Sequence, residues 1–203
     1  YGRHSLILAK DYGLNVTGID ASPGLIEVAR RQAQESNVPI KYLVRHIRDF
    51  DALGDFDHAA VIFNTFSLFS SDDAAAALKK IRRALKDQGK LFMDLDNGPY
   101  NCRYGCSETR RMQTPSGECI QQVYFHEGLS VETMRDLYFD EKGEIINEFV
   151  AHKRIYSADE IRDLLAQNGF AIRCVYGDWD LTALSGLSPK IMLVASRQPI
   201  KGD

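Results

Sequence analysis

The feature that most constrains the fold is an alternation of helical and strand-like segments over the first two-thirds of the chain. A helical pattern at about residues 3–12 stops near Gly13, and a short β-rich run over residues 15–20 follows it. Ser22-Pro23 then opens a second helix, with Ser as the N-cap and Pro in the first position. Further segments of this kind are strands at 40–44, 57–63 and 90–95 and a helix at 72–85. Such a β-α-β rhythm predicts a mostly parallel sheet with right-handed crossovers.

The rhythm changes between residues 97 and 153, where strand patterns recur around a turn at Gly143. We expect an inserted antiparallel β lid in this segment. A capping box at Ser157–Glu160 then starts another helix, and two closing strands follow at 170–176 and 190–196. The predicted organisation is an α/β core formed by residues 1–96 and 154–203, in which the last strand is antiparallel, with a lid sub-domain formed by residues 97–153.

Composition excludes several classes of function. The chain has 203 residues, a net charge of −3 and 44% hydrophobic residues, which fits one domain with a sub-domain. The near-neutral charge gives no basis for nucleic-acid binding, and no apolar run reaches the length of a membrane span. Four cysteines without a secretory signal are typical of a reducing cytoplasm, so we expect a cytoplasmic protein.

The start of the chain is unusual. Tyr1 is not Met, and Gly2 leads directly into the first helical pattern. We therefore expect further residues to precede Tyr1 in the protein.

Polar residues cluster where the predicted strands end. Asp20, the 45–51 segment, Asn64-Thr65 and the 94–96 segment all occupy such positions. Ligands of open α/β sheets bind at the carboxyl ends of the strands. The sequence therefore predicts a ligand site at this edge of the sheet.

The segments YGRHS and VTGIDASPGLIEVAR resemble the nucleotide-binding half of the class I S-adenosylmethionine-dependent methyltransferases. The resemblance implies a Rossmann-like fold and S-adenosylmethionine as cofactor. It makes Gly2 the last glycine of a loop of the type Asp-x-Gly-x-Gly-x-Gly, and Asp20, followed by Ala21, the acid that binds the ribose hydroxyls. A carboxylate can accept from both hydroxyls, but Asp20 could instead only cap the helix that starts at Ser22.

Two further motifs extend the resemblance. RHIRDFD resembles the segment after the third strand, where the family often has an Asp on the adenine amino group; His46 occupies that position here, and Ile47 would lie on the adenine face. FDHAAVIFNTFSLFS resembles the fourth-strand motif, which implies that Asn64, Thr65 and Phe66 contact cofactor and acceptor. A solvated loop at His46 and a core role for Phe66 are the alternatives.

The resemblance covers nearly the whole chain outside the 97–153 insert, and it implies methyl transfer to a nitrogen or oxygen of a small-molecule acceptor. Aromatic and charged residues of the insert suit a small polar acceptor. His126 and Tyr124 are the candidate catalytic bases. A second copy of the chain is a candidate partner.

Other functions were weighed against this one. Cys102, Cys106, Cys119 and His126 could form a zinc set, but they contain only one closely spaced pair, so no metal is expected. No Gly-x-Ser-x-Gly elbow supports a hydrolase. Another nucleotide-binding Rossmann enzyme and a non-catalytic methyltransferase-like domain remain alternatives, the second because His46 replaces the usual acid.

Overall fold

The computed structural model describes residues 1–104, 107–114, 117–126, 128 and 130–199. They form two compact units, Tyr1–Ala52 and Leu53–Asp203. Among the described residues, no helix has the combination of length and apolar character that crossing a membrane requires.

The first unit contains two helices and two parallel strands. In chain order these are α1 (Arg3–Lys10), β1 (Thr17–Asp20), α2 (Pro23–Glu35) and β2 (Lys41–Val44). The strands pair in parallel from Thr17↔Lys41 to Asp20↔Val44. α2 begins as predicted, since Ser22 Oγ accepts from the Leu25 N–H at 3.4 Å and Pro23 is the first helical residue.

The small core of this unit lies between α2 and β2. Ile26, Ala29 and Ala33 of α2 are buried together with Tyr42 of β2, and Ile40 packs against them. Their spacing of three and four residues along α2 places all three on one helix face. This face of α2 is therefore the one that contacts the sheet.

The second unit contains a four-stranded sheet flanked by helices. Its elements are β3 (Phe56–Val61), α3 (Ser71–Ala84), β4 (Leu85–Asp96), α5 (Ala158–Gln167), β9 (Phe170–Tyr176) and β10 (Lys190–Arg197). The strand order is β3-β4-β10-β9. β3 is parallel to β4, and β10 is antiparallel to both of its neighbours. The prediction of an antiparallel last strand near one edge is confirmed.

Helix caps position this sheet's flanking helices. Ser157 Oγ accepts from the Glu160 N–H, and the Glu160 side chain accepts from the Ser157 N–H, so the predicted capping box is confirmed. Ile161 and Leu165 of α5 are fully buried, as is Leu78 of α3. These apolar faces bury the helices in the same core as the sheet.

β3 differs from its sequence prediction. The continuous apolar run over residues 57–63 is typical of a strand buried on both faces, but the strand ends at Val61, and Asp57, His58 and Ala60 are exposed. β3 is an edge strand of its described sheet, so its residues have a neighbour on one side only.

The segment between β4 and α5 in the sequence forms a separate, wholly antiparallel sheet. It follows a short helix, α4 (Gly98–Tyr104), and its strands pair in chain order: β5 (Glu108–Thr114), β6 (Gly117–His126), β7 (Val131–Phe139) and β8 (Ile145–Arg154). Antiparallel structure in this segment is confirmed. The sequence did not predict α4 or β5, because β5 (ETRRMQT) is mostly charged and polar and lacks the alternation of a half-buried strand.

Candidate functional site

The first unit has a cleft at the start of α1 and the end of β1. It has a volume of about 120 Å³, and its walls include Gly2, Ser5, Gly18, Asp20, Ala29 and Tyr42. Two of the predicted cofactor residues, Gly2 and Asp20, therefore line the same cleft. This is the place where the sequence predicts the ribose of the cofactor.

Two glycines allow the Tyr42 side chain to pack into the wall of this cleft. A Cβ on Gly2 would lie 2.6 Å from Tyr42 Oη, and a Cβ on Gly18 would lie 2.7 Å from the ring. Tyr42 Oη donates to the Gly2 carbonyl at 3.3 Å. Burial raises the pKa of the Tyr42 phenol, while a hydrogen bond with Ser5 acts in the opposite direction. Gly2 itself has φ 78°, a left-handed conformation that glycine adopts at little cost.

Asp20 is the exposed last residue of β1. Its Oδ1 accepts from the Ser22 N–H at 2.8 Å, which fixes the orientation of the carboxylate. Within the described part of the chain, Oδ2 has no hydrogen bond, so one oxygen can still accept from a ligand. Ser22, and not Asp20, caps α2. Ala21 lies next to Asp20 and is also exposed.

His46 and Ile47 lie in a 3-10 turn that spans Ile47–Asp49. His46 Nδ1 accepts from the Arg48 N–H at 3.3 Å. The proton of a neutral ring in this arrangement is on Nε2, so that nitrogen is a donor. An Asp at this position would accept from the amino group of adenine, whereas His46 in this tautomer would donate to a ring nitrogen.

The second unit has a polar network at the carboxyl ends of β3 and β4. Asn64, only 8% exposed, donates to Asp96 Oδ2 at 2.6 Å. Its Oδ1 accepts from Ser67 Oγ at 2.7 Å and from the Asp96 N–H at 3.1 Å. Asp94 accepts from the Phe63 N–H at 2.6 Å. Burial raises the pKa of the Asp94 carboxyl, although the hydrogen bond from Phe63 acts against that shift.

Lysines from two strands neutralise this network. Lys190 at the start of β10 donates to Asp96 Oδ1 at 2.5 Å. Lys153 of β8 contacts Glu132 of β7, and its Nζ lies 3.9 Å from Asp96 Oδ2. β8 also packs against the 3-10 turn Thr65–Leu68 that follows β3. The antiparallel sheet therefore lies beside the strand ends that carry Asn64.

Thr65 and Phe66 have different environments. Thr65 is exposed, and its Oγ1 donates to the Ile62 carbonyl at 2.7 Å. Phe66 is fully buried, with ring centroids 5.6 Å from Phe69 and 5.9 Å from Tyr156. Phe66 is thus a core residue, whereas Thr65 stays a candidate for ligand contact.

The two candidate bases lie on one face of the antiparallel sheet. His126 Nε2 lies 3.1 Å from Thr133 Oγ1, which in turn lies 3.0 Å from His152 Nδ1. Tyr124 is directly opposite Thr133 in the register. Lys153 is one residue from His152, so it lies on the other face, the one that approaches Asp96.

The cysteine and histidine set has no common location among the described residues. Cys102 is exposed in α4, and Cys119 is buried in β6, where burial raises the pKa of its thiol. Cys106 is outside the described residues. In the described segments, no three His, Cys, Asp or Glu side chains form a group that could hold a metal ion.

Sequence reasoning placed the 94–96 segment at a strand end but assigned it no role. Asp94 and Asp96 are separated by one residue of a strand, which puts both on one face. That spacing could have indicated their joint contact with the turn after β3. No sequence signal indicated that this network would include Lys153, Lys190 and Glu132, because their positions depend on pairing between distant strands.

Comparisons with known proteins agree with this fold. Residues 1–89 match the family profile described as a methyltransferase domain. A relative from Geobacillus sp. (strain WCH70), itself assigned to the methyltransferases, is 22% identical over 97% of this chain and 81% of its own length. The ubiquinone biosynthesis O-methyltransferase of Xanthomonas oryzae pv. oryzae (strain PXO99A) is 36% identical, over 42% of this chain and 35% of that enzyme.

Solved structures extend the match over most of the chain. An S-adenosylmethionine-dependent methyltransferase from Clostridium acetobutylicum ATCC 824 has a TM-score of 0.77 and 15% identity, covering 92% of this chain and 76% of that one. The sugar N-methyltransferase KedS8 from Streptoalloteichus sp. ATCC 53650 has a TM-score of 0.74 and 17% identity, covering 98% and 76%. These likenesses establish the Rossmann-like methyltransferase fold.

Residues 1–89 match a methyltransferase domain and the solved structures share the fold of S-adenosylmethionine-dependent methyltransferases, so S-adenosylmethionine is the cofactor that these comparisons support. The cleft of the first unit fits that group in two respects. Gly2 and Gly18 line the cleft without adding a side chain, and Asp20 offers an oriented carboxylate oxygen.

Proposed function

We propose that the protein transfers the methyl group of S-adenosylmethionine to a nitrogen or oxygen of a small polar acceptor. The observation that carries this proposal is the position of the antiparallel sheet beside the polar ends of β3 and β4, through Lys153 and Asp96. A sheet at that place can form one wall of an acceptor pocket. On this proposal residues 97–153 act as a lid sub-domain.

The proposal gives each predicted cofactor residue a role. Gly2, Asp20 and Ala21 would contact the ribose and the adjoining part of the cofactor, and His46 and Ile47 the adenine. Asn64 and Thr65 lie on the turn after β3 and are proposed for the end that carries the methyl group, Thr65 by direct contact and Asn64 by supporting the turn. The bound cofactor supplies a methyl group activated by its sulfonium, so positioning and exclusion of water are the main tasks of the protein.

An acceptor hydroxyl needs a base, whereas a neutral amine attacks through its own lone pair. His126 and Tyr124 are proposed as that base, which requires the acceptor to reach the face of the antiparallel sheet opposite to Lys153. The Thr133 hydroxyl can donate to one histidine of the His126–Thr133–His152 chain while it accepts from the other. One ring nitrogen in this chain then accepts from the Thr133 hydroxyl and the other donates to it.

The named relatives support either nitrogen or oxygen as the acceptor atom. One similar structure is that of a sugar N-methyltransferase, and one relative is an O-methyltransferase of ubiquinone biosynthesis. Both nitrogen and oxygen acceptors therefore belong in the test.

The experiment is a screen of the full-length protein with S-adenosylmethionine against amino- and hydroxyl-bearing metabolites, followed by mass spectrometry. We expect one product that gains a single methyl group while S-adenosylhomocysteine forms in equal amount. His126→Gln and Tyr124→Phe test the bases, and His58→Gln, at an exposed histidine of β3, is the matched control. If no acceptor is methylated although the protein binds S-adenosylmethionine, the proposed activity is wrong.

A further inference from the structure

The turn that follows β3 has an unusual backbone. Phe63 has φ 62° and Asn64 has φ 55°, so two consecutive residues that are not glycine adopt the left-handed region. Each such residue costs on the order of 1–3 kcal/mol and persists only where its surroundings determine the conformation. Glycine at either position would remove the strain, so the side chains present here have another role.

A buried carboxylate holds this turn. Asp94 is 2% exposed and accepts from the Phe63 N–H at 2.6 Å. The Asn64 N–H also acts to lower the pKa of this carboxyl. Burial raises the pKa of Asp94, so the protein keeps this group against a desolvation cost.

The Phe63–Asn64 turn directs its two side chains in opposite directions. Asn64 points inward, where Asp96 and Ser67 satisfy its amide. Phe63 points outward with 60% of its surface exposed, and Thr65 beside it is exposed as well. An outward Phe at a strand end offers an apolar contact for a ligand without contributing to the core.

We propose that Asp94 is a positioning residue for methyl transfer: it holds the Phe63–Asn64 turn so that Phe63 and Thr65 contact the reacting molecules. This inference rests on the function proposed above and adds two roles to it. Phe63 is the acceptor contact at this turn, and the Asn64 side chain acts through the backbone and does not touch the ligand.

The test compares Asp94→Leu and Asp94→Asn with Asp140→Leu. Asp140 is a matched control because its Oδ1 likewise holds a turn, accepting from the backbone N–H groups of Lys142 and Glu144 between β7 and β8. Protein labelled with ¹⁵N-phenylalanine reports the hydrogen exchange of the Phe63 amide without any ligand. Steady-state kinetics with the acceptor found in the screen report kcat and KM.

In Asp94→Leu we expect the Phe63 amide to lose at least about tenfold in protection and kcat/KM to fall by about tenfold to a hundredfold, as small misplacements do. Asp94→Asn keeps one acceptor oxygen and should lie between the wild type and Asp94→Leu in both readouts. Phe63→Ala should raise the acceptor KM and leave the free energy of unfolding unchanged. Asp140→Leu should match the wild type in both readouts. Should Asp94→Leu not fold, the intermediate values of Asp94→Asn decide.

Normal protection of the Phe63 amide in the Asp94 variants would overturn the proposed hold on the turn. Altered protection with wild-type kcat and KM would overturn the positioning role. Failure of the wild-type protein to methylate any acceptor is a different result, because it overturns the proposed function while the exchange data still decide whether Asp94 holds the turn.

Discussion

The carboxylate that ends β1 and the carboxylates that end β4 occupy comparable places in two strands but have opposite environments. Asp20 is exposed, accepts from one backbone N–H and retains an oxygen for a ligand. Asp94 is buried, and Asp96 binds Asn64 and Lys190. The same residue type at a strand end therefore does two different things.

The difference follows from what surrounds each carboxylate. A charged group with spare acceptor capacity next to a cleft can bind hydroxyls. A buried carboxylate is tolerated only when its oxygens are satisfied, so its contribution is to organise the backbone that satisfies it. Substitutions should therefore affect cofactor binding at the end of β1 and folding stability at the ends of β3 and β4.

The largest expected effect is that of Asn64→Ala on stability. It removes three hydrogen bonds, two of them to Asp96, and leaves a strained backbone without its support. We expect the free energy of unfolding to fall by about 2–4 kcal/mol in a urea titration. Ser67→Ala, which removes only one of these bonds, should cost about 1 kcal/mol. Equal losses of unfolding free energy in the two variants would contradict the hydrogen-bond network proposed around Asn64.

Asp20→Ala should give the reverse pattern. Removal of a charge-assisted acceptor should weaken binding of S-adenosylmethionine by about 1.5–3 kcal/mol in calorimetry, with a change in unfolding free energy below about 1 kcal/mol. Asp11→Ala removes another exposed acid of the same unit and serves as control. An unchanged dissociation constant together with a loss of stability would mean that Asp20 only stabilises the turn at Ser22.

His46→Ala should have a smaller effect on the same measurement. One neutral hydrogen bond to the adenine ring is worth about 0.5–1.5 kcal/mol, less than the charged contact of Asp20. His46→Asn retains an acceptor for the Arg48 N–H and separates the role in the 3-10 turn from the role in binding. A loss larger than that of Asp20→Ala would show that the adenine contact dominates.

The parts of this fold that sequence predicted depend on local chemistry. The Ser22-Pro23 start and the Ser157–Glu160 capping box follow from short patterns that the structure repeats. Position at a strand end was also readable from sequence, and Asp20 does end β1.

The parts that sequence could not predict depend on pairing between distant segments. Which face of the antiparallel sheet carries His126 is set by the register of β6 on β7, and a shift by one residue would reverse it. The burial of Asp94 and the exposure of Asp20 likewise depend on neighbouring elements and not on the residues beside them.

The smallest expected effect concerns pH and separates Asp94 from an exposed carboxylate. Because burial raises the pKa of Asp94 above its usual 3.8, its contribution to stability is fully present at lower pH and is lost as pH rises through the folded-state pKa. Three groups that face this carboxylate reduce the loss, namely the Phe63 N–H, the Asn64 N–H and Lys190, while Asp96 adds to it.

The measurement is a urea titration of the wild type and of Asp94→Asn from about pH 3 to about pH 7. The unfolding free energy of the wild type minus that of the variant should decrease as pH rises. Asp57→Asn is the comparison, since the hydrogen bond from Lys86 lowers the pKa of Asp57 and its difference should increase over the same range. A difference for Asp94 that increases with pH would mean that its hydrogen bonds outweigh its burial, and the contrast between the two strand ends would then be one of exposure alone.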